Sequence, residues 1–219
     1  MEGHLRKLLP FSKHRCYKTS KHTLMIIEFH VFSKNYKEKI LNCYHFSNKC
    51  PKCGAIASFH RHGTYFRWIT YLSATGDIAF ESLEILRLKC QSCNSTHSIL
   101  PGDIIPFQVY SLPVVLFLCE QILINKVSIR NTVSKTNCSI QTICQKLNLL
   151  KRSLTLIEFY LRQMSLYTAA SSISLTQALT FLLLPTMKIS SYFHCHGHPI
   201  FLNRRNTISY PLLFAAAFS

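Results

Sequence analysis

The pattern of apolar and polar positions changes its dominant period along this chain near residue 110. Before that point apolar residues come in short runs rich in β-branched and aromatic side chains, as strands require. Leu24–Phe32 is one such run. His60–Leu72 (HRHGTYFRWITYL) is a second, Ser73–Asp77 supplies turn residues, and Leu83–Lys89 returns as a third. Asn35–Asn42 fits a short helix. Ser98–Phe107, interrupted by Pro101 and Pro106, reads as an extended connector.

From Ser111 the spacing becomes helical. Ser111 is placed as an N-cap with Pro113 just inside, ahead of Val114–Ile124. Further helices are expected over Ser128–Ser134, Ser139–Leu150, Leu154–Tyr167 and Leu175–Leu184. Residues 1–22 and the last 35 residues show little periodicity; the former read as a basic, flexible arm.

Two cysteine pairs turn this pattern into a specific architecture. Cys50-Pro51-Lys52-Cys53-Gly54 and Cys90-Gln91-Ser92-Cys93-Asn94 each set two thiolates on one tight turn, and 36 residues lie between them. That interval suffices for a hairpin that returns the second turn to the first. Four thiolates so gathered form the tetrahedral shell of a structural zinc site. Because such a shell is closed, Zn²⁺ held by Cys50, Cys53, Cys90 and Cys93 would stabilise the hairpin and would not activate water. The expected fold class is α+β: a zinc ribbon, its β-hairpin carrying two CxxC knuckles, followed by an all-helical region. The expected divisions are an arm at 1–22, the ribbon domain at 23–110, a helical domain at 111–168 and a helical or irregular tail at 169–219.

Charge changes the picture next. Lys and Arg number 25 against nine Asp and Glu, a formal net charge of +16. Residues 1–70 hold thirteen basic residues against three acids and residues 111–170 seven against two, whereas residues 71–110 hold two against four. A polyanionic partner fits the basic regions. Within the helical region Val127–Arg152 has the form of a helix-turn-helix. Ile129 and Val133 face inward from its first helix, Lys135–Asn137 makes the turn, and Asn137 or Ser139 caps the second helix. Ile140, Ile143 and Leu147 form the buried stripe of that second helix. Gln141, Thr142, Gln145 and Lys146 are then left to read base edges, with Lys151 and Arg152 on phosphates. On the hairpin, Arg61 and Arg67 are candidate backbone contacts beside Tyr65 and Trp68.

Other candidates weigh less. His60 and His62 lie near the first knuckle, but four cysteines already complete a zinc shell. His194, Cys195, His196 and His198 form a second metal-like tract without a matching partner cluster. Cys16, Cys43, Cys119, Cys138, Cys144 and Cys195 read as small buried or half-buried residues rather than disulfide partners. No apolar stretch reaches the ~20 residues of a spanning helix, and the N-terminus lacks the apolar core of a signal peptide. A cytoplasmic protein is expected.

The stretches CPKCG at 50–54, RHGTYFR at 61–67 and LRLKCQSCNSTHSILPGDIIPFQVYS at 86–111 carry a family resemblance. The chain resembles, over roughly residues 24–165, an uncharacterised bacterial family of transposase-like proteins that join a zinc ribbon to helix-turn-helix segments. The resemblance implies sequence recognition or association with a mobile element. The expected partner is DNA, with a separate transposase or a second copy of the chain as further candidates. The resemblance does not imply catalysis. Metal-dependent strand transfer needs a carboxylate trio, but Asp77 and Asp103 sit in turn contexts and Glu120 and Glu158 stand alone. No small-molecule substrate is indicated. The alternatives left open are a transposase or nuclease subunit with an unrecognised active site, a zinc-ribbon adaptor for another protein, and an RNA-binding protein.

Overall fold

The computed structural model describes residues 15–17, 24–28, 31–42, 50, 52–56, 59–73, 75–163 and 165–184. The His194–His198 tract and most of the basic arm lie outside the described residues. Two long strands, β3 (Phe59–Leu72) and β4 (Ile78–Cys90), pair antiparallel along their length. Their turn closes where Ser73 N–H donates to Asp77 O (2.9 Å) and Ser73 Oγ accepts from Asp77 N–H (3.0 Å), and Gly76 takes a φ of +84° that other residues rarely adopt. β4 also pairs antiparallel with β5 (Thr96–Pro101), making a three-stranded antiparallel unit. β2 (Leu24–Glu28) extends it by running parallel to β5, and β1 (Arg15–Tyr17) pairs antiparallel with β2. The sheet order is therefore β1-β2-β5-β4-β3, with β3 at an edge.

Two expectations fail here. Arg15–Tyr17 is a strand of the sheet, not part of a flexible arm. The connector expected at Ser98–Phe107 begins as the central strand β5, in which His97 through Pro101 are all buried. A strand covered on both faces shows no alternation of polar and apolar residues, and its proline stands at the last position, where it ends the ladder.

Val31, Tyr36, Ile40, Ile85, Leu86, Leu88, Ile99 and Leu100 form the sheet's core. Tyr36, from the helical turns over 33–41, is wholly buried; its hydroxyl donates to Ile99 O (2.6 Å) and accepts from Leu86 N–H (3.1 Å). This satisfies the one polar atom of a large buried ring.

Helices α1 (Leu112–Leu123), α2 (Ile129–Thr136), α3 (Ile140–Gln163) and α4 (Leu175–Leu183) follow. Pro113 lies in the first turn of α1 as expected, but Ser111 does not cap it with its side chain: its buried Oγ has no partner among the described residues, and its N–H donates to Thr70 Oγ1. The two helices expected at 139–150 and 154–167 are one continuous helix, α3. Ser153 at the expected break bonds its hydroxyl back to Leu149 O (3.0 Å), which a helix accommodates without ending. Leu116, Cys119, Leu150, Ile157, Tyr160, Leu161, Leu179 and Leu182 knit α1, α3 and α4 into one core. A smaller cluster of Val114, Leu118, Cys138 and Ile143 takes Leu72 and Ile78 of the hairpin tip against the helices. Among the described residues, no helix is long and apolar enough to cross a membrane.

Candidate metal centre and the helix pair beside it

The two cysteine turns are built alike. In the first, Cys50 N–H donates to Ala55 O (2.7 Å); in the second, Cys90 N–H donates to Ser95 O (2.9 Å). The residue after each second cysteine, Gly54 (φ +78°) or Asn94 (φ 55°), occupies the left-handed region, which glycine and asparagine tolerate best. Pairing of Phe59 with Cys90 at the open end of the hairpin brings the turns together.

All four sulfurs lie within 4.8 Å of one another. Cys50 Sγ is 3.7 Å from Cys93 Sγ, and Cys53 Sγ is 3.7 Å from Cys90 Sγ. A tetrahedron with metal–sulfur bonds of about 2.3 Å has edges of about 3.8 Å, so the donor set fits a metal ion without rearrangement. Cys50 and Cys90 are buried, Cys93 is half-buried and Cys53 is exposed. Burial pushes the Cys50 thiol up to about 12, while a hydrogen bond from the Ser95 side chain holds Cys93 below its ordinary value. A bound cation supplies the charge that lets the buried thiol ionise.

Sequence reasoning missed a neighbour of this site. His97 of β5 is fully buried, with Nε2 3.6 Å from Cys50 Sγ and its ring held edge-on to Phe59 (5.3 Å between centroids). With its proton on Nε2 the imidazole donates to the sulfur, as groups around metal–thiolate centres commonly do. The available signal was its position four residues after Cys93, at the start of a strand leaving the knuckle. His60 and His62, weighed as ligands and set aside, are exposed and do not belong to the sulfur cluster.

Beyond the connector, α2 and α3 form a compact pair. Ser128 caps α2 by accepting from Asn131 N–H (3.2 Å), Asn137 ends it in the left-handed conformation (φ 53°), and Ser139 caps α3 by accepting from Thr142 N–H (3.1 Å). Ile143 is buried and Leu147 half-buried, but Ile140 is 53% exposed and does not join the buried stripe. Ile129 and Val133 are half-buried and pack inward against the cluster of Val114, Leu118, Cys138 and Ile143, as expected, while Thr132 and Thr136 are the buried positions of α2.

The proposed contact residues separate into two groups. Gln141, Gln145, Lys151 and Arg152 are exposed, and Thr142 is half-exposed with its hydroxyl on Ser139 Oγ (3.0 Å). Lys146 is not on that face. It is only 8% exposed, its Nζ donates to Gln108 Oε1 (3.1 Å) and lies 4.6 Å from the centre of the Tyr110 ring, and burial lowers its pKa. Arg67 also turns inward, donating through Nη2 to Ile105 O (3.1 Å) and Gln108 O, with burial lowering its pKa. Arg61, though exposed, donates to the carbonyls of Ile40 and Leu41 and ties the helical turns to β3. The connector carbonyls and the Tyr110 ring draw these cations inward, which residue type alone does not reveal.

The scattered cysteines Cys119 and Cys138 are buried and Cys144 is half-buried. No curated protein and no solved structure gives a significant match to this chain. Residues 50–145, which include all four clustered cysteines and both helices of the α2–α3 pair up to Gln145, match a domain family described as a domain of unknown function, DUF6431.

Proposed function

We propose that this chain is a cytoplasmic, zinc-containing DNA-binding protein of a mobile element, in which a zinc ribbon supports a helix-turn-helix. The observation that carries the reading is the outer face of α3. Gln141, Gln145, Asn148 and Arg152 recur at i, i+4, i+7 and i+11 and are all exposed, at the capped start of a helix that follows a tight turn. Glutamine and asparagine offer the paired donor and acceptor that match an adenine edge, and Arg152 with Lys151 supplies phosphate attraction. Arg130 and Lys135 of α2 are also exposed.

Zinc fits the all-sulfur tetrahedron better than harder cations, which prefer oxygen ligands. Its work in this reading is to close the hairpin. In this reading the chain carries out no bond-breaking step of its own; Asp103 is engaged with Ser33 and Glu158 with Arg162. The likeness to transposase-like zinc-ribbon proteins supports the mobile-element assignment.

The test is duplex DNA binding by zinc-loaded protein, followed by fluorescence anisotropy across a salt series. The reading expects affinity to fall linearly in log salt, and the slope to shrink by about one for each of Lys151→Ala and Arg152→Ala. An unchanged slope in both variants would remove α3 from the interface.

A further inference from the structure

The β3–β4 hairpin carries a surface that DNA recognition does not use. Directly opposed residues of an antiparallel pair share a face. The pairs Phe66–Glu84, Trp68–Ser82 and Thr70–Phe80 therefore set Phe66, Trp68 and Phe80 side by side. They are 73%, 62% and 61% exposed, among the largest apolar exposures in the described residues. At either end the same face is covered: Leu86 belongs to the sheet core, and Leu72 and Ile78 pack against the helices. The open stretch is a bounded aromatic patch on the hairpin.

We propose that this face is the contact through which two copies of the chain associate. Charge identifies the occupant. A chain of net charge +16 repels its own copies at most approaches. Residues 68–86 contain no Lys or Arg and three acids, Asp77, Glu81 and Glu84. This is the stretch where a second copy approaches at the least electrostatic cost, and where a nucleic acid is least welcome. Glu84, opposite Phe66 on this same face, is held by the Thr64 hydroxyl (2.7 Å) at the sheet-core end of the patch, which leaves the Trp68–Ser82 and Thr70–Phe80 positions free of charge.

In size the patch is the core of a contact rather than the whole of one. Aromatic side chains carry about 150–250 Å² each, so three at these exposures present roughly 400 Å². That is about half of the ~800 Å² per partner in a standard interface, and Thr64 and Ser82 on the same face extend it. Packing the patch on its own copy about a two-fold axis is an isologous contact that closes at a dimer. The proposal rests on the hairpin alone and stands whether or not α3 reads DNA.

Trp68 is the only tryptophan in the chain and lies at the centre of the patch, so its emission reports cover directly. The experiment is sedimentation velocity with tryptophan fluorescence on the full chain, without nucleic acid, over a concentration series at low and high salt. The expected result is a monomer–dimer equilibrium in which emission moves to shorter wavelength as the dimer forms. Salt should strengthen the dimer by screening like charges, the opposite of its effect on DNA binding. The double substitution Phe66→Ser with Phe80→Ser, both at exposed positions, should weaken association by about 100-fold and leave Trp68 with the emission of a water-exposed indole. A monomer at every concentration would overturn the proposal. So would a dimer that persists in the double variant, or Trp68 emission already blue-shifted in dilute monomer, which would assign the cover to the chain's own remaining residues. An emission shift that appears only when an oligonucleotide is added would give the patch to nucleic acid instead.

Discussion

The cysteine end of the sheet and the bundle of α1, α3 and α4 are held by different means. Fourteen buried residues form one core in the bundle, and no metal-binding cluster lies there among the described residues. The sheet has eight, and none of them lies in the cysteine turns. Lys52, Cys53, Gly54, Gln91 and Ser92 are exposed, so the turns have almost no apolar side chains with which to hold each other. Where apolar burial runs out, a metal ion held by the four sulfurs would supply the closure; where it is ample, helices pack without help.

The largest expected effect breaks the first region alone. Cys90→Ser removes a buried ligand and should abolish stoichiometric metal binding. Hydrogen exchange should then show protection lost around Cys50–Gly54, Phe59 and Lys89–Thr96, with α1, α3 and α4 still protected. Collapse of the bundle in the same variant would show that the two regions do not hold themselves independently. The converse is Ile157→Ala, which empties a fully buried position and should cost about 2–5 kcal/mol by urea denaturation. The folded fraction of that variant should retain one metal ion per chain.

Next in size is the join. Arg67→Met removes two hydrogen bonds that anchor the connector at Ile105 and Gln108 and should cost about 1–3 kcal/mol. The smallest effect sharpens the assignment of α3. Lys146→Met exchanges a buried cation for an apolar chain of similar reach, so stability should change by about 1 kcal/mol or less and DNA affinity should not change. The pH dependence has a definite sign. Burial lowers the folded pKa of Lys146 below 10.5, so the folded state sheds that proton before the unfolded chain does. The cost of the buried charge is thus present while both states hold the proton and is relieved as pH rises through the lowered folded pKa towards 10.5. Any advantage of Lys146→Met over the wild type should fade across that alkaline window.

How far the sequence could be read follows from the same contrast. The four clustered cysteines were legible because their ligand chemistry is local: two short turns of fixed composition. β3, β4, α1 and α2 were legible from period and turn residues. β5 was not, because burial on both faces erases alternation, and the unbroken α3 was not, because Lys151, Arg152 and Ser153 look like a boundary while the backbone needs none. Lys146, Arg67 and Ile140 were misplaced for a tertiary reason. Whether a cation faces solvent or a carbonyl depends on a connector that only folding brings alongside. His97 escaped notice because its partner sulfur belongs to the other knuckle.

The central claim is that the exposed face of α3 reads DNA sequence, and the most direct measurement is selection from a random duplex library by the zinc-loaded chain at near-physiological salt. The account predicts enrichment of one motif, whose preference at a single base position relaxes in Gln145→Ala while the fold and metal content are unchanged. Binding without enrichment, or a Gln145→Ala variant that selects the same motif with the same stringency, would contradict it.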